Sequence, residues 1–351
     1  MRRIFIIVMA MAMLALLGVA CSPSRAATLA PTPVPGQPTA IELSDINVCY
    51  TAPSSTQAVP WYAMKKGIFE KYGLRVNLMR VRASSQAVTA LITGDLDICE
   101  AAGNSVVNAV AAGQDIVMIA SLYNTYPSIL IARPQIKTVE DLRGKKIGVS
   151  ATGSASAVAT HLALEQLGLN PESDVVLMEA GELPDRVAAL RAGQIDASMI
   201  DPPYLHILRA DGYTELFDFG KSGIPYVHTS IVTTRKFVEN DRGLAVAFMK
   251  AILDAVAQMK NDPEGVKAVM AEYLELDPVA NSADLTDAYE NVILPFVQQV
   301  PYPNLAGLQT VIDFTSAQNP AAATLQPSDL VDMSIVQQLE DSGFIAGLQS
   351  R

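Results

Sequence analysis

Leu91-Ile-Thr-Gly94-Asp-Leu-Asp97 returns further along the chain as Leu190-Arg-Ala-Gly193-Gln-Ile-Asp196, and Gly113 returns as Gly212. These four positions share one offset of 99 residues over a span of 22. Each copy reads as the end of a helix running into a strand. The leucine packs, the glycine takes the left-handed conformation that stops the helix, and the aspartate opens the next strand. On that reading both aspartates hold structure and do no chemistry. The repeat predicts two similar α/β units in tandem.

Working outward, short β-rich runs alternate with helical patterns. Strands are expected at Asn47–Thr51, Arg75–Val81, Asp97–Glu100 and Val117–Ser121. Between them lie a helix over Val59–Tyr72, stopped by Gly73, and one over Ser85–Thr93, stopped by Gly94. The same grammar restarts with a strand at Lys146–Ser150, a helix at Ser154–Leu167 and a strand at Val175–Met178. A helix through Leu190 and a strand at Ala197–Ile200 follow. Alternation of this kind is the signature of a mainly parallel, doubly wound sheet. After another strand near Ser230 the chain runs helically from Arg242 to Met259, and residues 263–351 read as proline-broken helices packing on the first unit. The second unit is then an insertion in the first, entered near Ser128–Arg133 and left near Ser230–Arg235. The expected organisation is lobe 1 from residues 45–130 plus 233–351 and lobe 2 from 131–232, joined by a two-segment hinge. Ligands of open α/β sheets sit at the carboxyl ends of the strands, so the cleft between the lobes is the expected site.

Among 351 residues, 25 Lys and Arg face 36 Asp and Glu, for a net charge of −11, while half the chain is hydrophobic. That balance excludes a disordered chain, and it excludes one that grips nucleic acid through its overall field. Any bound anion must be held by local groups. Three cysteines and three histidines have no metal-ligand spacing, and neither metal nor cofactor is expected. Cys49 and Cys99 fall in predicted buried strands and are read as inert core thiols ahead of a disulfide between neighbouring strands.

Arg2 and Arg3 precede an uncharged apolar run, Ile4 to Ala20, which reads as an export signal over residues 1–20. Its end, Leu17-Gly18-Val19-Ala20-Cys21, resembles the lipobox of bacterial lipoproteins, although Gly18 stands where that pattern usually has leucine. The resemblance implies lipidation of Cys21 and an anchor on the outer face of the cell membrane. Cleavage after Ala20 or Ala26 into a soluble exported chain is the alternative. Residues 21–44 are rich in proline and read as a semi-rigid spacer. Loss of residues 1–20 leaves 23 basic against 36 acidic residues, a net charge of −13.

Several stretches together resemble one family. Val139-Glu-Asp-Leu-Arg-Gly-Lys-Lys-Ile-Gly-Val149, Gly153-Ser154, His161-Leu-Ala-Leu-Glu165, Ala188-Ala-Leu-Arg-Ala-Gly-Gln-Ile-Asp-Ala197 and Pro202-Pro203 are similar to solute-binding proteins of ABC importers. The branch is the nitrate/sulfonate/taurine and thiamine-precursor type, and Trp61-Tyr-Ala-Met-Lys-Lys-Gly-Ile-Phe-Glu-Lys-Tyr-Gly-Leu74 is similar to its first helix. The resemblance covers about residues 45–260. It implies a type II periplasmic-binding fold that closes on a small molecule and delivers it to a membrane permease with its ATPase, acting as a monomer. One branch of the family makes thiamine pyrimidine enzymatically. That activity goes with a cysteine-rich motif this chain lacks, so no enzyme is expected, and a ligand-sensing lobe is the other rival.

Strand ends place the loops at 53–57, 82–85, 102–104, 152–156 and 201–204 around the cleft. The candidate ligand-binding residues are Ser55, Gln57, Trp61, Arg82, Ser84, Ser85, Asn104, Tyr123, Ser154, Ser156, Glu179, Asp201 and Tyr204. Serines at helix N-termini either cap the helix or bond a ligand. One cation, Arg82, stands against three carboxylates, Glu179, Glu182 and Asp201, which disfavours a small anion. Trp61, Tyr62, Tyr123, Tyr126 and Tyr204 are candidate walls for a flat heterocycle. Riboflavin is the favoured ligand, with a thiamine-type pyrimidine or a small anion as alternatives.

Overall fold

A computed structural model describes residues 43–349. The export signal, Cys21 and nearly all of the expected spacer lie outside these residues. Ser44, the spacer's last position, already opens the first strand.

Ten strands form two five-stranded sheets. In chain order they are β1 (Ser44–Tyr50), β2 (Leu74–Arg80), β3 (Ile98–Ala102), β4 (Val117–Ser121), β5 (Ile129–Ala132), β6 (Lys146–Val149), β7 (Val176–Glu179), β8 (Ala197–Ile200), β9 (Thr214–Asp218) and β10 (Thr229–Thr233). One sheet has the order β2-β1-β3-β10-β4 and the other β7-β6-β8-β5-β9. Each carries one antiparallel strand in its fourth place, β10 in the first and β5 in the second. These are the strands by which the chain enters each sheet from the other, so each sheet is mixed, with four strands parallel and one reversed.

The 99-residue offset reappears in the strand pairing. Val48 faces Leu78 and Ile98, while Ile147 faces Leu177 and Ala197, each position shifted by 99. The two aspartates do identical work. Asp97 accepts a hydrogen bond from Asn47 N at 2.8 Å and Asp196 accepts one from Lys146 N at 3.0 Å, clamping each loop to the start of the neighbouring strand. Gly94 and Gly193 have φ of 81° and 71°, where a β-carbon is strained.

The helices that position the cleft are α1 (Ala58–Lys65), α2 (Ile68–Lys71), α3 (Ser84–Thr93), α4 (Gly103–Ala111), α5 (Ala155–Gln166), α6 (Leu183–Arg191) and α7 (Leu205–Ala210). The single helix expected over Val59–Tyr72 is two, because Gly67 takes φ 65° between them. Helix α4 and strand β9 were not legible. The first is short and built of small residues, and the second is half polar.

One core cluster packs Trp61, Phe69 and Phe248 on a face of the first sheet, with Trp61 stacked on Tyr273 at 5.0 Å. Another runs from Cys49 and Met118 through Leu130 and Ile147 to Val158, and so spans both sheets. Cys49 and Cys99, directly opposed on β1 and β3, are joined in a disulfide. This corrects the expectation of free thiols. The parallel pairing puts their Cα atoms 4.5 Å apart, a proximity that two cysteines 50 residues apart in sequence do not reveal.

Candidate ligand-binding cleft

The carboxyl ends of β1, β2, β3, β6 and β8 open into one cavity of about 880 Å³ between the parts built on the two sheets. Of the candidate residues, Gln57, Arg82, Ser84, Ser85, Asn104, Ser154, Ser156 and Asp201 line it; Ser55, Trp61, Tyr123, Glu179 and Tyr204 do not.

The repeat shapes the walls. Gln57 and Ser156 stand 99 residues apart and play the same part. The Gln57 side-chain oxygen accepts from Thr51 N at 2.6 Å, and the Ser156 hydroxyl accepts from Ser150 N at 2.8 Å. Both fold the loop after the first strand of their sheet. Ser154 caps α5 by accepting from Ala157 N at 3.3 Å. Ser84, the first residue of α3, accepts from Ala102 N at 3.3 Å, and Ser85 beside it is exposed and lines the cleft. Helices α3, α4, α5 and α6 all begin at the cavity, so four positive dipole ends converge there, with α5 capped by Ser154 and α6 by the Glu182–Asp185 capping box.

The excluded residues have other employment. Ser55 is fully buried and donates to Pro202 O at 3.0 Å. Glu179 accepts from Thr152 N at 2.7 Å, and that bond holds its carboxyl below the usual range. Trp61 and Tyr123 are core, and Tyr204 packs with Ile131, Leu183 and Ile200. Tyr62 donates to Asp262 at 2.8 Å. Of the five expected aromatic walls only Tyr126 lines the cleft, so the stacking surface that favoured a flat heterocycle is mostly absent. Tyr126 packs edge-on against His228 with ring centroids 4.6 Å apart.

The charge balance also differs. Glu182 is paired with Arg80 across the cleft mouth, and Glu179 is not in the lining. Arg186, which the loop-based reading passed over, lines the cavity at 4% exposure. Its Nη1 donates to Ser198 Oγ at 3.2 Å and Met199 O at 2.5 Å, while its Nε is buried with no partner. The signal was present: Leu183, Arg186, Val187 and Leu190 fall on one helical face, and an arginine in an apolar stripe is anomalous. Asp201 sits near it, accepting from the Ser54 hydroxyl at 2.6 Å. Burial pushes the Asp201 carboxyl up, while the Ser54 bond and the Arg186 charge pull against it. His228 is the other residue missed, and burial pushes its pKa down to about 4, leaving it neutral at pH 7. Its Nδ1 and the Asn104 Oδ1 are buried without partners, although Asn104 Nδ2 donates to Gly153 O at 2.5 Å. Arg186 Nε, Asn104 Oδ1 and His228 Nδ1 are thus three buried polar atoms, on residues that line the cavity, whose hydrogen bonds are unmade.

Residues 55–266 match the sequence pattern of the family described as NMT1/THI5 like. The chain belongs to the NMT1/THI5-like family. Among relatives of this NMT1/THI5-like chain, a protein of Brucella abortus strain 2308, provisionally named as a binding protein, is 26% identical over 236 residues. The match covers 66% of this chain and 72% of the relative. A protein of Brachyspira hyodysenteriae, provisionally named an ABC transporter periplasmic binding protein, is 31% identical over 123 residues, 35% of this chain and 34% of its own. The solved alkanesulfonate-binding protein SsuA of Xanthomonas axonopodis pv. citri, bound to MOPS, superposes with a TM-score of 0.64 at 21% identity. That superposition covers 79% of this chain and 94% of SsuA. The fold of the NMT1/THI5-like chain is that of the periplasmic binding proteins.

Proposed function

We propose that the chain is the extracytoplasmic solute-binding component of an ABC importer and captures a small solute with an anionic head. The observation that carries the head group is Arg186, a nearly buried cation whose Nε is unpaired in a cavity where four helix N-termini converge. A sulfonate or carboxylate satisfies that donor and the helix dipoles together. The name of the Brachyspira relative supports the importer role, and the SsuA neighbour supports a sulfonate head. On this reading the segments crossing between the sheets, residues 122–128 and 219–228, are the hinge. The lobe bounds expected from the sequence shift by a few residues at both crossings, since β5 belongs with lobe 2 and β10 with lobe 1, and the permease with its ATPase is the partner. The role is capture and release, with no chemical conversion. Cys21 tethers the chain to the membrane.

Calorimetry with methanesulfonate, taurine, nitrate, a thiamine-type pyrimidine and riboflavin, each at low and high salt, tests the head group. A charge-assisted hydrogen bond contributes about 1.5–3 kcal/mol, so Arg186→Gln should weaken the anionic ligands by about 10- to 150-fold. Tight, salt-insensitive binding of riboflavin or the pyrimidine, with the anions silent, overturns the reading and restores the heterocycle. Membrane fractionation of Cys21→Ser against wild type tests the anchor, and identical partitioning of the two counts against it.

A further inference from the structure

Among the hydrogen bonds that pass from the loops of one sheet to those of the other, the bond between Ser54 and Asp201 has a buried carboxylate as its acceptor. Asp201 follows β8 of the second sheet and is 6% exposed, while Ser54 lies just after β1 of the first and is 8% exposed. The Asp201 Oδ2 accepts from the Ser54 hydroxyl at 2.6 Å, at a depth where water competes little for either group. A carboxylate only accepts, so the single hydroxyl proton of Ser54 is spent on that bond. Ser54 Oγ also lies 3.0 Å from Thr56 Oγ1, which lies 3.4 Å from His228 Nε2. With the Ser54 proton committed, Thr56 donates to Ser54, and His228 then donates to Thr56 from Nε2. These donors run in one direction and end on Asp201. The run touches both segments that cross between the sheets. His228 closes the crossing over residues 219–228, and Asp201 Oδ1 accepts at 3.4 Å from the hydroxyl of Ser128, which closes the crossing over 122–128. His228 N in turn donates to Tyr123 O at 2.9 Å, tying one crossing to the other.

We infer that the Ser54–Asp201 bond is a latch that favours the closed form of the protein, and that Thr56 and His228 aim it. Ser54 is on this account a positioning residue. It lines the cavity, but its hydroxyl is committed to Asp201, so it sets how firmly the two parts stay together and not which solute they hold. The inference rests on the capture reading and deepens it, because a bias toward closure multiplies the affinity for every solute by one factor. The pair of Arg80 with Glu182 at the mouth is partly exposed and screened by solvent, so the buried bond carries more of the closure.

The test compares wild type, Ser54→Ala and Ser54→Thr by small-angle scattering without solute and by calorimetry with methanesulfonate, taurine, nitrate, a thiamine-type pyrimidine and riboflavin. Ser54→Ala should enlarge the solute-free particle and weaken every solute that wild type binds by one common factor of about tenfold. Ser54→Thr, which keeps the hydroxyl, should restore both. Asp201→Asn keeps the side-chain shape and removes the charge, and should enlarge the solute-free particle by less; it carries the scattering test if melts show Ser54→Ala unfolded. Nitrogen-15 NMR at pH 7 should find the His228 ring proton on Nε2. A solute-free radius that both variants leave unchanged overturns the latch. A loss of affinity that differs from solute to solute also overturns it, because Ser54 is then a solute contact, and a His228 proton on Nδ1 overturns the run of donors that aims it. If the radius responds as expected but none of the five solutes binds wild type, the latch stands and the capture reading falls.

Discussion

Removing the Cys49–Cys99 bond with the double substitution Cys49→Ala, Cys99→Ala perturbs the fold at the pairing of β1 with β3. Both cysteines are fully buried and 50 residues apart, and the loop they close contains β2, α1, α2 and α3. In the chain-entropy account, opening a loop of roughly 50 residues restores about 14 cal/mol/K to the unfolded chain, or about 4 kcal/mol at 25 °C. With an unfolding entropy of about 2.1 cal/mol/K per residue over roughly 300 folded residues, that is a fall in Tm of about 6 °C. Calorimetric melts of oxidised wild type and the double variant measure the difference. Thiol titration in guanidinium, before and after reductant, checks its cause. The folded portion should release no thiol before reduction and two after it, as suits an exported chain. Two titratable thiols without reductant, or melts that coincide within 1 °C, would refute the reasoning, because the bond would then be absent or its loop already ordered in the unfolded chain.

The twin aspartates should behave alike. Asp97→Ala and Asp196→Ala each strand a backbone N–H at a strand start and should cost about 1–3 kcal/mol by denaturant titration, with solute affinity unchanged; a lost affinity at unchanged stability would make one of them a ligand contact. Glu100, fully buried on β3 with neither carboxylate oxygen partnered, has its pKa pushed well above the usual range by burial. The folded state thus holds a proton that the unfolded chain gives up, and stability present below the unfolded pKa is lost as pH rises through the folded value. Glu100→Gln should accordingly be more stable than wild type at pH 7, with the gap closing near pH 4; an equal or larger gap at pH 4 contradicts the assignment. Small-angle scattering should show a smaller radius of gyration with saturating solute, and Arg80→Ala, which breaks the pair with Glu182, should enlarge the solute-free particle. Identical profiles in all states speak against the hinge.

Much of the fold was legible because it is written in local rules. Helix-stop glycines, strand alternation and the offset of 99 residues required no knowledge of what packs where, and Gly94, Gly193, Asp97 and Asp196 hold the conformations and hydrogen bonds that their repeat implies. The break at Gly67 was local too, but a strong apolar face on either side of it hid the turn. The site was legible only in outline. Strand ends and helix N-termini located the loops, and serines at those termini lie in the cavity.

The sequence by itself determined that there are two α/β units of one design, that one is inserted in the other, and that their strand ends bound a cleft, since periodicity and turn chemistry act over a few residues. Only the tertiary structure decided which side chains carry the cleft's charge and how the cysteines are spent. Arg186 comes to line the cavity because α6 carries it against Ser198 and Met199, and Glu182 leaves the balance because Arg80 reaches it from the other sheet. Trp61 and Tyr123 are withdrawn into the core, and Cys49 meets Cys99 because β1 and β3 are parallel and in register. Pair energies of this kind depend on distances between residues remote in the chain, and no local rule contains those distances.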